Sequence, residues 1–127
     1  MISPSNDRTF PVLEDLLSFA SKRQQAISSN IANLDTPGFH SQDYKFESEL
    51  ESLRMTSTSE QHISPMQDNS SARVFEVGTK EKPNGNNVDL ERELSEITKN
   101  GLEYVTLVQY LNQKIRTLRS AIVDGGK

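Results

Sequence analysis

The chain has 127 residues, about a third of them apolar, and a mild formal charge of −4; this leaves room for one small domain and too little apolar material for a large private core. It contains no cysteine, which excludes disulfides, thiolate metal sites and a cysteine nucleophile. No apolar run approaches the roughly 20 residues of a bilayer span, residues 1–10 lack the basic start and apolar stretch of a cleavable signal, and no basic stripe interleaved with aromatics offers a nucleic-acid footprint.

The first predicted element is a helix starting at Thr9 or Phe10 and ending near Asn33. Leu13, Leu17, Ala20, Ile27, Ile31 and Leu34 recur in steps of four and three once Gln24 is counted in the seam. Thr9 or Asp7 can cap it, and Pro11 is tolerated in the first turn, where its missing N–H costs nothing. Asp35-Thr36-Pro37-Gly38 then stops the helix, because proline disfavours the helical region for Thr36 and glycine permits a left-handed turn. Ser28 and Ser29, without a nearby base, read as small packing residues and not as nucleophiles.

From Phe39 onward the pattern weakens. Tyr44, Phe46, Leu50 and Leu53 suggest one apolar face of a short helix or an extended flap, whereas residues 55–71 are dominated by small polar side chains and are expected to be flexible. Val74-Phe75-Glu76-Val77 is the densest β-type run and predicts one strand of a small hairpin. Residues 79–87, with Lys82-Pro83-Asn84-Gly85, read as a turn-rich loop.

The last element is the clearest. Leu90, Leu94, Ile97, Gly101, Tyr104, Val108, Leu111, Ile115, Leu118 and Ile122 follow in unbroken four-three alternation, the pattern of helices packed side by side. Asn87 or Asp89 can cap this helix; acids (Asp89, Glu91, Glu93, Glu96) crowd its first turns and bases (Lys114, Arg116, Arg119) its last ones, both suiting the helix dipole, and Gly125-Gly126 ends it. The expected fold is mainly α. Long N- and C-terminal helices form an antiparallel coiled-coil-like hairpin over residues 1–35 and 88–127, joined by a turn and a variable, partly disordered segment, 36–87, that carries a short β-hairpin or extended flap. The stripes fit both an intramolecular hairpin core and intermolecular bundling. Gly101 in the seam suggests a close helix–helix approach, since a glycine inside a helix costs about 1 kcal/mol against alanine.

Chemistry is sparse. His40 and His62 have no metal-ligand spacing around them and read as solvated loop residues. Asp43, Glu47, Glu49 and Glu51 read as a solvated acidic face, because a catalytic carboxylate pair needs a walled pocket to separate its pKa values. No Gly-rich phosphate loop precedes a Lys-Ser or Lys-Thr. No catalytic residue, metal, cofactor, small-molecule substrate or nucleic-acid partner is expected.

The run Ser28-Ser29-Asn30-Ile31-Ala32-Asn33-Leu34-Asp35-Thr36-Pro37-Gly38-Phe39 resembles the signature of the flagellar axial proteins of rod and hook, an Asn-Ile/Leu-Ala-Asn core followed by Thr-Pro-Gly and an aromatic. Asn87-Val88-Asp89-Leu90-Glu91-Arg92-Glu93, then Tyr104 and Val108-Gln109-Tyr110-Leu111-Asn112-Gln113-Lys114-Ile115, is similar to that family's second signature. Phe39 stands where tyrosine is frequent, and Ser28-Ser29 replaces a commoner Ala-Asn or Ser-Asn pair. The resemblance implies a structural subunit of the basal-body rod, exported through the flagellar type III apparatus without signal cleavage and polymerised in the periplasm-spanning rod. Its implied partners are further copies, other rod proteins, the membrane (MS) ring, a rod adaptor subunit and the export gate. Assembly would use Leu13, Leu17, Ile27 and Ile31 with Leu94, Ile97, Tyr104, Val108, Leu111, Ile115 and Leu118. Asn30, Ala32, Asn33, Thr36, Pro37, Gly38 and Phe39 would set the helix end and turn. The alternative is a free helical adaptor or secretion chaperone that holds a partner helix on the same stripes.

Overall fold

The structure, a computed structural model, describes residues 8–45 and 74–126. Two helices and two short strands follow in the order α1 (Thr9–Ala32), β1 (Gln42–Tyr44), β2 (Val74–Glu76) and α2 (Leu90–Gly125). The side-chain bonds Asn30–Glu93, Arg23–Glu96 and Gln24–Asn100 run in opposite directions along the two helices, so α1 and α2 pack antiparallel. The mainly helical hairpin expected from periodicity is the architecture found.

Helix α1 begins where expected but by another device. Arg8 occupies the N-cap position without a side-chain capping bond, and Thr9 is already helical; Asp7, the other expected cap, lies outside the described residues. The C-terminal end is well ordered by Asn33, whose backbone N–H reaches Ser29 O and Asn30 O, and the chain turns through Gly38 at φ 70°. At that angle an L side chain is strained, which explains glycine after Pro37.

Strand β2 lies where the β-type run predicted it. Its partner is β1, paired antiparallel with Gln42 opposite Glu76, Asp43 opposite Phe75 and Tyr44 opposite Val74. The expected hairpin therefore has as its other arm a strand far upstream, joined through residues outside the description. Phe46, Leu50, Leu53, Glu47, Glu49, Glu51, His62 and the stretch 55–71 also fall outside it.

Helix α2 is capped by Asp89, whose side chain accepts from the N–H groups of Glu91 and Arg92. Acids stand in its first turn as expected, while its last turn carries no basic residue because Arg119 lies farther back. At about 1.5 Å per residue α1 is roughly 36 Å long and α2 roughly 54 Å. The shorter helix cannot cover the longer.

Among the described residues, six apolar side chains are buried, Leu13, Phe19, Ala20, Ile27, Val77 and Val88, against seven polar ones, Asn30, Ser41, Asp43, Asn86, Asn87, Glu93 and Asn100. Phe19 packs edge-on against Tyr44 with ring centroids 6.4 Å apart, closing the sheet onto α1.

The period predicted for α2 is present and its phase is shifted. None of the ten stripe residues is buried, and Leu90, Leu94, Tyr104, Ile115, Leu118 and Ile122 are exposed. The positions turned to α1 are Glu93, Ile97, Asn100, Leu107, Leu111 and Lys114, all buried or half-buried. Ile97 and Leu111 belong to both lines; Glu93 and Asn100 are more deeply buried than their neighbours Leu94 and Gly101, Leu107 and Val108 are both half-buried, and Lys114 is half-buried where Ile115 is exposed. One residue is a rotation of about 100° on a helix, so α1 covers one flank of the stripe and leaves the other open. Gly101 is accordingly not a close-approach glycine within this chain: a Cβ built there meets nothing within 4 Å. Ser28 and Ser29 are exposed as well, and pack no internal seam.

Candidate functional site

The two signature stretches, 28–39 and 87–93, meet in space at the end where α1 stops and α2 begins. Asparagine is the residue that joins them, because its amide offers a donor and an acceptor in the geometry of a peptide group and can stand in for a missing strand. Asn30, 1% exposed, accepts from Gln42 N–H at 3.0 Å and donates to Gln42 O at 2.8 Å, pinning β1 to α1. It also reaches Glu93 Oε2 at 3.1 Å, which ties the same amide to α2.

Asn86 does the equivalent for the turn. Its Nδ2 donates to Asn33 O and Thr36 O, both at 2.8 Å, and its Oδ1 accepts from Val88 N–H at 2.8 Å. Carbonyls at a helix end have no partner within the helix, so Asn86 and Lys82, which donates to Leu34 O at 3.3 Å, complete the α1 terminus. Asn87 accepts from Ser41 N–H at 2.7 Å and donates to Val77 O at 2.8 Å, and its own carbonyl accepts from the Thr79 hydroxyl. Gly38 N–H bonds Asn84 O at 3.0 Å, and a Cβ on Gly85 (φ 79°) would lie 3.4 Å from Gly38 Cα. The two turn glycines meet backbone to backbone. Asn33 and Thr36 brace the turn through a 3.1 Å side-chain bond, while Ala32 and Pro37 are exposed and Phe39 is half-buried.

A charge cluster backs this clasp. Arg23 binds Asp43 with two bonds of 2.9 and 3.1 Å and Glu96 with one of 2.6 Å; Arg92 approaches Asp43 at 3.8 Å and Glu93 at 3.3 Å. The Asp43 hydrogen bond, and then its charge, holds the Arg23 guanidinium even further above neutrality than usual, against the opposing effect of burial. Burial pushes the Glu93 carboxyl up, with the Asn30 bond and Arg92 pulling the other way. Burial also acts to raise Glu96, but the Arg23 bond and charge outweigh it and hold that carboxyl below its usual range. Asp43 is therefore no part of a solvated acidic face. It is a buried counter-ion fastening β1 to both helices.

His40 lies half-exposed with Nδ1 3.5 Å from Glu76 and Nε2 3.6 Å from Glu81. Those carboxylates face opposite ring nitrogens, a geometry for ion pairing on protonation and not for chelation. No group of three or more His, Cys, Asp or Glu able to hold a metal occurs among the described residues, and none of their helices is long and apolar enough to cross a membrane.

Of the expected assembly residues on α1, Leu13 and Ile27 are buried and Leu17 and Ile31 half-buried. On α2, Ile97, Val108 and Leu111 are half-buried and Leu94, Tyr104, Ile115 and Leu118 exposed. Sequence reasoning missed Arg23, Asn86, Glu93, Glu96 and Asn100. The one signal available for them was the run Asn84-Gly85-Asn86-Asn87, too amide-rich for a plain loop.

Residues 17–40, from mid-α1 through the turn, match the family model described as flagella basal body rod protein. Over nearly its whole length the chain is 36% identical to the flagellar basal body rod protein FlgB of Aeromonas hydrophila, across 93% of this chain and 95% of that one. The chain belongs to the FlgB family of flagellar basal body rod proteins. FlgB of Bacillus subtilis (strain 168) is 33% identical over 94% of this chain and 95% of its own; FlgB of Escherichia coli (strain K12) is 28% identical over 88% and 91%. The FlgB match thus extends through α2, well beyond the stretch that the family model covers.

Proposed function

We propose that this chain is a structural subunit of the flagellar basal-body rod that polymerises through its terminal helices. The observation carrying this reading is the half-covered stripe of α2. Burying apolar surface is the main driving force of association, and here an apolar flank on a rigid helix is turned away from the chain's own α1. Leu94, Ile97, Tyr104, Val108, Leu111, Ile115 and Leu118 would pack against neighbours in the rod, with Leu13, Leu17, Ile27 and Ile31 supporting them from α1. The clasp of Asn30, Asn33, Thr36, Gly38 and Asn86 sets the angle at which the chain leaves the helices.

In this reading the partners are further copies, other rod proteins, the membrane ring with its adaptor subunit, and the export gate through which the chain passes. The assembled rod spans the periplasm, houses the export channel and transmits torque. FlgB relatives over more than nine-tenths of the chain support it over a free adaptor. An immunoblot of purified hook–basal bodies beside the cytoplasmic fraction tests it. Enrichment in the basal bodies is expected; a stable cytoplasmic pool without incorporation would overturn the reading in favour of the adaptor.

A further inference from the structure

We infer that the groove between α1 and α2 beside Gly101 receives the C-terminal overhang of α2 from a second copy of this chain. The inference rests on the rod-subunit reading and names the contact that reading leaves open. On one side of the helix pair a groove of about 650 Å³ is lined by Ser21, Gln25 and Ser28 of α1 and by Asn100, Gly101 and Val105 of α2. Ser21, Ser28 and Gly101 open the channel, and Gln24 and Tyr104 stand along its walls. Gly101 contributes most, since a Cβ there would meet nothing within 4 Å: the space it leaves is unused by its own chain.

A buried acceptor faces the same place. Asn100 is 1% exposed; its Nδ2 donates to Ala20 O and Gln24 Oε1, both at 2.8 Å, while its Oδ1 finds no hydrogen-bond partner among the described residues. A buried acceptor left unpaired is costly, and a donor brought by an incoming element removes that cost.

The same molecule carries an element of matching character. The antiparallel pairing brings Thr9, the first residue of α1, opposite the Leu111 to Ile115 region, and every described residue from Ile115 to Gly126 is exposed. This overhang presents Ile115, Leu118 and Ile122 on one face, with Ile122 76% exposed. Arg119 lies beside that face and supplies a donor of the kind Asn100 lacks. The charges agree: with Glu93 and Glu96 engaged by Arg92, Arg23 and Lys99 within the chain, residues 90–107 present the exposed Glu91 and Glu103, whereas residues 108–126 carry Lys114, Arg116 and Arg119 against Asp124. One copy's basic end suits another's acidic half.

Groove and overhang are different surfaces separated along α2 by about 19 residues, or roughly 28 Å. A contact between different patches is heterologous and does not close on itself, so each added copy presents a fresh groove or a fresh overhang.

The test uses the full chain, whose lack of cysteine allows clean labelling. Ser21→Cys and Ile122→Cys chains are mixed and treated with a short bismaleimide, and sedimentation velocity follows wild type and Gly101→Leu at rising concentration. Cross-linked heterodimers in the mixture, and association at least tenfold weaker for Gly101→Leu with undiminished helical circular dichroism, are expected. Cross-links within Ser21→Cys alone, wild-type association of Gly101→Leu, or a wild-type chain that stays monomeric would each overturn the inference, the last assigning the groove to a different subunit. Presence of the wild-type chain in basal bodies, scored separately, distinguishes failure of this contact from failure of the rod reading.

Discussion

The two ends of α2 are built on opposite principles. At the clasp, Glu93 and Asn100 are buried, and α1, β1 and the loop 77–88 converge on the first turns through amides and charges. At the far end every described residue from Ile115 to Gly126 is exposed, although Ile115, Leu118, Ile122 and Val123 are among the most apolar of the helix. Hydrogen bonds and ion pairs are directional and fix one register; apolar burial is not directional and accepts any surface of suitable shape. The chain therefore uses polar groups to define its own fold and leaves part of its apolar surface uncovered.

The sharpest way to break this contrast is at Arg23. Arg23→Met leaves the buried Asp43 with the distant Arg92 as its nearest counter-charge, beside the hydrogen bond from Tyr44 N–H, and is expected to cost about 3–5 kcal/mol in urea unfolding. Replacing both partners, Arg23→Met with Asp43→Leu, is expected to recover a large part of that loss. Asn86→Ala comes next: it leaves Val88 N–H without its partner and removes the second hydrogen bond of Asn33 O and of Thr36 O, which keep those from Thr36 N–H and Phe39 N–H, for about 1–3 kcal/mol by the same measurement.

A pH series sharpens the contrast within the charge cluster. The Glu93 carboxyl is raised above the 4.5 of an unfolded chain, so the folded state binds its proton more tightly, and the resulting stability, full below 4.5, is lost as pH rises through the folded value. Glu93→Gln keeps an acceptor for Asn30 and removes that loss, so its stability relative to wild type should improve on going from acid to neutral pH. Glu96 is lowered and has the opposite sign: its contribution is present above 4.5 and disappears as pH falls through the folded value, so Glu96→Gln should be destabilising at neutral pH and nearly silent in strong acid.

The smallest effect on folding belongs to the far end. Ile122→Ser is expected to change unfolding free energy by less than about 0.5 kcal/mol while reducing incorporation into basal bodies. A large loss of stability there would show that the overhang is already covered within the chain.

The sequence showed the helices and the turn plainly, because periodicity and the Pro37-Gly38 pair are local signals. It showed the period of the α2 stripe, but not that Glu93 and Asn100 beside that stripe are the residues buried against α1. Glu93 and Asn100 take the positions facing α1 only because Asn30, Ala20 O and Gln24 are there to satisfy them, and a polar residue carries no mark of a partner some 60 to 80 positions away. Asp43 read as solvated for the same reason, since its partner Arg23 stands on another element. The Asn86 and Asn87 bonds replace backbone pairing with side chains, which leaves no alternation to detect.

The nearly even mixture of apolar and amide or charged groups in the buried set also has a calorimetric consequence. Apolar surface raises the heat capacity when it is exposed and polar surface lowers it, so unfolding of this chain should carry a heat-capacity change below the roughly 12–15 cal/mol/K per residue usual for globular proteins. The free-energy curve against temperature is then shallow, flattened at both its warm and its cold limb. Unfolding then meets a similarly modest free-energy cost in a cold environment and in a warm one.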